Sequence, residues 1–95
     1  MLEKQITAKI IKHLNSLDGC VAFKVHGGHF ATPGISDVIC CLNGKFIALE
    51  VKQPSRLKNV SKAQQLFLDN VSKSGGLSRV VSSLTDVVDL VNDLA

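Results

Sequence analysis

The chain has 95 residues, 45% hydrophobic and 20% charged, the balance of a soluble globular protein with one core rather than two. Four Phe and no Trp or Tyr leave little material for the aromatic platforms on which single-strand binders stack bases. The formal charge is +3, but Asp86, Asp89 and Asp93 crowd the last ten residues, so residues 1 to 83 carry eleven cations against five acids. That surface suits a phosphate-rich partner; a solvated basic face is the plain alternative. No apolar run has the length of a membrane span. The three cysteines, Cys20, Cys40 and Cys41, are an odd count that points to reduced thiols and a cytoplasmic setting.

Leu2, Ile6, Ile10, Leu14 and Leu17 recur at helical spacing, which predicts a first helix ending at Asp18-Gly19. Its N-terminal charges are too frequent for a secretory segment, so it reads as part of the fold. Glu3 lies along the edge of the apolar stripe, where its carboxylate can look toward the sheet or simply favour the first helical turn. Residues 20 to 25 alternate as a strand, with Val21, Phe23 and Val25 on one side and Lys24 on the other. The glycine- and proline-rich stretch after it, carrying His26 and His29, is a loop. Both histidines are weighed as metal ligands with the cysteines, but the spacings match no structural zinc pattern. Contact with substrate or solvent suits them better.

Residues 34 to 52, GISDVICCLNGKFIALEVK, read as two apolar strands joined by Asn43-Gly44, the dipeptide that supplies both positive φ values of a type I′ hairpin. The two-residue turn fixes the register. Counting back from Leu42 opposite Lys45 sets Cys41 against Phe46, Ile39 against Ala48 and Asp37 against Glu50. Directly opposed side chains stand about 5 Å apart, and like charges placed so repel unless a cation lies between them or one is protonated. Lys52 projects from the same face as Glu50 because strand side chains alternate. Two carboxylates and a lysine on one sheet face suit a hard cation such as Mg²⁺, which takes one or two carboxylates plus substrate phosphates. The chemistry that matches is phosphodiester hydrolysis.

Beyond Lys52, Arg56, Lys58 and Lys62 follow a break at Pro54 and form a candidate phosphate clamp. Ser61 is the expected N-cap of a second helix whose period is set by Ala63, Leu66, Phe67, Asn70 and Val71, ending at Gly75-Gly76. Gln64, three residues after Ser61, completes a capping box, a local role that competes with one in catalysis. LSRVVS is a fourth strand, and a third helix buries Leu84, Val87, Val88, Val91 and Leu94 on one face, with Ser83 and Asp86 at its start.

Asp37 after Gly34-Ile35-Ser36, then Glu50-Val51-Lys52, the Arg56-Leu57 pair, Gln64 and Gly75-Gly76 resemble the PD-(D/E)xK nuclease superfamily, and within it the VRR-Nuc branch of virus-type replication and repair nucleases. Ser36 stands where proline commonly precedes the aspartate. The resemblance spans nearly the whole chain, residues 1 to 95, as a single domain. It implies an α/β, restriction-endonuclease-like α-β-β-β-α-β core with a C-terminal helix and a mixed four-stranded sheet. It also implies that Asp37, Glu50 and the Val51 carbonyl bind Mg²⁺ or Mn²⁺, with Glu3 as a further ligand, and that Lys52, Gln64 and Glu3 belong to the catalytic set. Lys24, His26, His29, Arg56, Lys58 and Lys62 are then the expected DNA contacts. Stand-alone members resemble dimeric Holliday-junction resolvases of phage or bacterial origin, so the expected activity is endonucleolytic cleavage of branched DNA by a homodimer in a bacterial or phage-infected cell. Two alternatives remain open: a non-catalytic nucleic-acid-binding module, and a restriction or tRNA-processing subunit of the same fold.

Overall fold

The computed structural model describes residues 2–26 and 34–94. The element order is α1 (Glu3–Asn15), β1 (Cys20–Lys24), β2 (Val38–Leu42), β3 (Lys45–Val51), a 3-10 turn (Pro54–Arg56), α2 (Lys62–Lys73), β4 (Leu77–Val81) and α3 (Leu84–Asp93). The strands lie side by side in chain order. The first three form an antiparallel meander, and α2 crosses over so that β4 returns parallel to β3. This is the mixed sheet expected for the α-β-β-β-α-β order. No helix among the described residues is long and apolar enough to cross a membrane.

The hairpin between β2 and β3 pairs Leu42 with Lys45, Cys41 with Phe46, Cys40 with Ile47, Ile39 with Ala48 and Val38 with Leu49. That is the expected register, without a bulge. Its turn residues Asn43 and Gly44 have φ of 50° and 85°, the two positive values that a right-twisted two-residue hairpin demands. Strand alternation then sorts the side chains between two faces. Val38, Cys40, Leu42, Ile47, Leu49 and Val51 meet Ile6, Ile10 and Leu14 of α1 and Val87 of α3 in the main core. On the opposite face Ile39 and Ala48 pack with Leu68 and Val71 of α2.

Several local expectations change. Helix α1 stops at Asn15 rather than at Asp18-Gly19, because Asn15 turns its side-chain amide to the free edge of β1. Its Nδ2 donates to the Ala22 carbonyl at 2.9 Å and its Oδ1 accepts from the Ala22 N–H at 2.8 Å, filling backbone positions that an edge strand leaves unpaired. Leu2 is the exposed N-cap residue instead of a member of the buried stripe. Val21 and Phe23 do share a side of β1, but it is the open side: they are 68% and 54% exposed. Helix α2 lies over β3 and β4 and leaves that part of the sheet uncovered. Helix α2 turns Val71 and Phe67 inward as expected, but Leu68 is buried in place of Leu66, which points to solvent. In α3, Val87 is buried and Leu94 is exposed.

Candidate active site

Asp37 ends a short approach that begins at Gly34. Gly34 has φ of 78°, and a side chain there would run into the backbone of Ala63 in the first turn of α2. Glycine thus lets the segment before β2 lie against the start of α2. Ser36 is buried next to it. The Asp37 carbonyl accepts from the Val25 N–H at 2.8 Å, extending the β1–β2 ladder by one bond. One step past the Val38 and Leu49 pair, Asp37 comes opposite Glu50.

Glu50 sits near the end of β3 on the face that α2 covers, and it is 1% exposed. A carboxylate so placed is costly unless it is paired, hydrogen-bonded or protonated. Its two oxygens differ. Oε2 accepts from Gln64 Nε2 at 2.8 Å and lies 3.4 Å from Lys52 Nζ. Oε1 is buried without a hydrogen-bond partner among the described residues. Burial first, and then the charge of Asp37, push the Glu50 carboxyl up to about 7, while Lys52 opposes the rise. The opposed carboxylates therefore act on one another as the hairpin register requires.

The other groups hold this pair in place. Asp37 Oδ2 accepts from the Val51 N–H at 2.8 Å, so the aspartate stands in for a ladder carbonyl at the end of the hairpin. The Lys52 N–H continues the sheet by donating to the Val81 carbonyl at 2.9 Å. Gln64 reaches Glu50 while also completing the capping box of α2. Its Oε1 accepts from the Ser61 N–H at 2.9 Å, and its own N–H donates to Ser61 Oγ at 3.1 Å. The cap and the contact with Glu50 are thus made by different atoms of one residue.

Asp37, Glu50, Lys52 and Gln64 are thus brought together. Glu3 is not brought to them: half-buried at the start of α1, its Oε2 accepts from the Gln53 N–H at 3.3 Å. It is tied to the chain just past Lys52 instead of to the other acids, a contact with no signature in the spacing of the sequence. Among the described residues no three His, Cys, Asp or Glu side chains converge as a metal-holding group. The acidic donors available are the pair Asp37 and Glu50. A buried carboxylate oxygen beside a second carboxylate fits a cation ligand; in the metal-free chain a proton on Glu50 is what relieves the repulsion. Cys40 and Cys41 take opposite sides, buried and exposed, and burial pushes the Cys40 thiol up to about 12, away from the thiolate a metal needs.

Of the basic residues, Arg56 closes the 3-10 turn, Lys58 follows it and Lys62 opens α2, all exposed. Lys24 pairs with Val38 and so leaves the sheet on the face away from Glu50. His26 is exposed just past β1, and His29 lies outside the described residues. A hollow lined by Phe46, Phe67, Asn70 and Gly76 opens beside the far end of α2, not at the carboxylates.

The fold is shared with a solved VRR_NUC domain protein, at a TM-score of 0.70 and 13% identity, covering 97% of this chain and 86% of that one. No family model and no curated protein sequence matches the chain. The chain thus has the fold of that VRR_NUC domain protein, an α/β core with a mixed four-stranded sheet and a C-terminal helix.

Proposed function

We propose that this nuclease-fold chain is a single-domain, divalent-metal-dependent DNA endonuclease acting on branched DNA, with four-way junctions foremost, and working as a homodimer. The observation that carries the reading is the buried carboxylate pair: Glu50, with one oxygen orphaned, facing Asp37 and flanked by Lys52. A surface charge cluster in a mere binding module has no reason to bury an acid to 1% exposure. Asp37 and Glu50, with the Val51 carbonyl beside them, would hold Mg²⁺ or Mn²⁺; when bound, the ion supplies Lewis-acid polarisation of the scissile phosphate and activation of water.

The chain's own residues do the rest. Lys52 keeps a fixed ammonium beside Glu50, available to the charge that builds on the phosphate during cleavage. Glu50 would hold such an ion as a carboxylate, so the proton that burial and Asp37 favour would be released on binding. Arg56, Lys58 and Lys62, exposed on the segment that leads from β3 into α2, would contact backbone phosphates, with the exposed His26 as a further contact; Lys24, on the face away from Glu50, drops out of that set. One such site cuts one strand, so symmetric cleavage of a junction requires two copies. The exposed Val21, Phe23 and Phe46 on the part of the sheet that α2 leaves open offer the surface for that pairing. The setting is the cytoplasm of a bacterial or phage-infected cell.

The test is cleavage of matched linear, flap and four-way DNA with Mg²⁺ and with Mn²⁺, run beside a measurement of solution mass. Cutting of branched forms that disappears in Lys52→Ala supports the reading. Cutting that survives in both Asp37→Ala and Lys52→Ala removes it, and binding without cleavage of any form favours the binding module instead.

A further inference from the structure

The geometry points to Gln64 as a positioning residue that selects which Glu50 oxygen faces the metal, using the capped start of α2 as its support; this rests on the metal-dependent reading above. The side-chain amide offers one acceptor and one donor end, and both are committed. The Ser61 N–H can only donate, so it requires the amide oxygen, at 2.9 Å. The Glu50 carboxylate then receives Nε2, at 2.8 Å. The network itself assigns the amide orientation. With Gln64 and Lys52 both on Oε2, the carboxylate cannot rotate without breaking two contacts, and Oε1 is the oxygen kept without a partner among the described residues.

An ordinary capping box accepts Glu or Gln at this position. Here only Gln serves, because a glutamate would meet Glu50 with a second acceptor where a donor is needed. The choice of residue at the third position of α2 is therefore set by the site and not by the helix. Partners that orient a metal ligand in this way are commonly worth 10- to 100-fold in metal affinity.

The experiment separates the cap from the carboxylate. Mn²⁺ is titrated calorimetrically into the metal-free full chain of the wild type, Gln64→Ala and Ser61→Ala, with thermal unfolding measured for each. Both substitutions damage the cap and should lower the melting temperature by a few degrees. Only Gln64→Ala removes the donor to Glu50, and it should weaken Mn²⁺ binding at least tenfold, while Ser61→Ala stays within about twofold of wild type. Equal loss of affinity in the two variants, or unchanged affinity in Gln64→Ala, overturns the proposal and leaves Gln64 as a cap alone. A wild-type chain that takes up no Mn²⁺, or that binds it as well after Asp37→Ala, overturns the metal-dependent reading and this proposal together.

Discussion

The two faces of the sheet are built to different ends. The face under α1 and α3 is closed and apolar, with Ile10, Val38, Leu49 and Val87 all without exposed surface. The face under α2 has a small apolar centre in Ile39, Ala48, Leu68 and Val71, an open apolar area on β1 at one side, and the acids Asp37 and Glu50 at one end. Alternation along β3 puts Leu49 and Glu50, one residue apart, into these opposite environments. The first face supplies stability, and the second spends some of it on a buried repulsive pair. Function-bearing sites are commonly where such local costs gather.

Substitutions on the two faces should accordingly separate activity from stability. The largest expected effect is on cleavage: Lys52→Ala should lower the metal-dependent rate at least about 100-fold with little change in unfolding midpoint. Asp37→Asn should also abolish cutting. Because an amide oxygen can still accept from the Val51 N–H while the charge is gone, it should raise the melting temperature of the metal-free protein; a lowered value would contradict the repulsion inferred for the hairpin. On the closed face Ile10→Ala should cost about 3 to 4 kcal/mol in urea unfolding, and any cleavage lost should follow the unfolded fraction.

A smaller effect is expected from pH. Glu50 holds its proton more tightly in the folded chain, with the carboxyl raised from 4.5 to about 7 by burial and by Asp37. Between those values the folded state carries the additional proton, so stability of the metal-free protein should fall as pH rises through that window, by on the order of 2–3 kcal/mol. It should be level in this respect below the window. Urea unfolding at pH 5 and pH 8 measures the fall, and Glu50→Gln should remove most of it. The smallest effect on stability belongs to the open area. Phe23→Ser should shift unfolding by less than about 0.5 kcal/mol in the isolated chain. If two copies pair there, the same substitution halves the solution mass measured by light scattering, and an unchanged dimer mass would place the interface elsewhere.

How far the sequence carried depended on whether neighbours along the chain or across space decide the geometry. The hairpin register was legible because Asn43-Gly44 fixes the turn and a strand's period of two does the rest. That alone brought Asp37 opposite Glu50. The orientation of α2 was legible only in part. Apolar periodicity nominated Ala63, Leu66, Phe67, Asn70 and Val71; Val71 is buried and Phe67 packs beside it, but Leu66 and Asn70 face outward and the inward line takes in Gln64 and Leu68 instead. A polar residue belongs on that line only because a buried carboxylate awaits it, and no scale of hydrophobicity records that. The exposure of Val21 and Phe23 was hidden for a related reason, since alternation says which residues share a face but not which face a distant helix covers. For Glu3 the spacing leaves open a turn toward the sheet or a place in the first helical turn; it has the second, and only the folded chain reveals the Gln53 N–H that its carboxylate holds.

The hydrogen bond from the Val51 N–H to Asp37 Oδ2 gives the molecule a local reporter. A backbone amide held by a side-chain carboxylate feels every change in that carboxylate, whereas its neighbour, the Lys52 amide, is held by the Val81 carbonyl and feels mainly the integrity of the sheet. Hydrogen exchange at these two adjacent positions therefore carries separate messages: one amide tracks how Asp37 is engaged, the other how firmly β3 and β4 are joined. A diamagnetic cation such as Mg²⁺ entering the site can be followed at Val51 with Lys52 as the internal control.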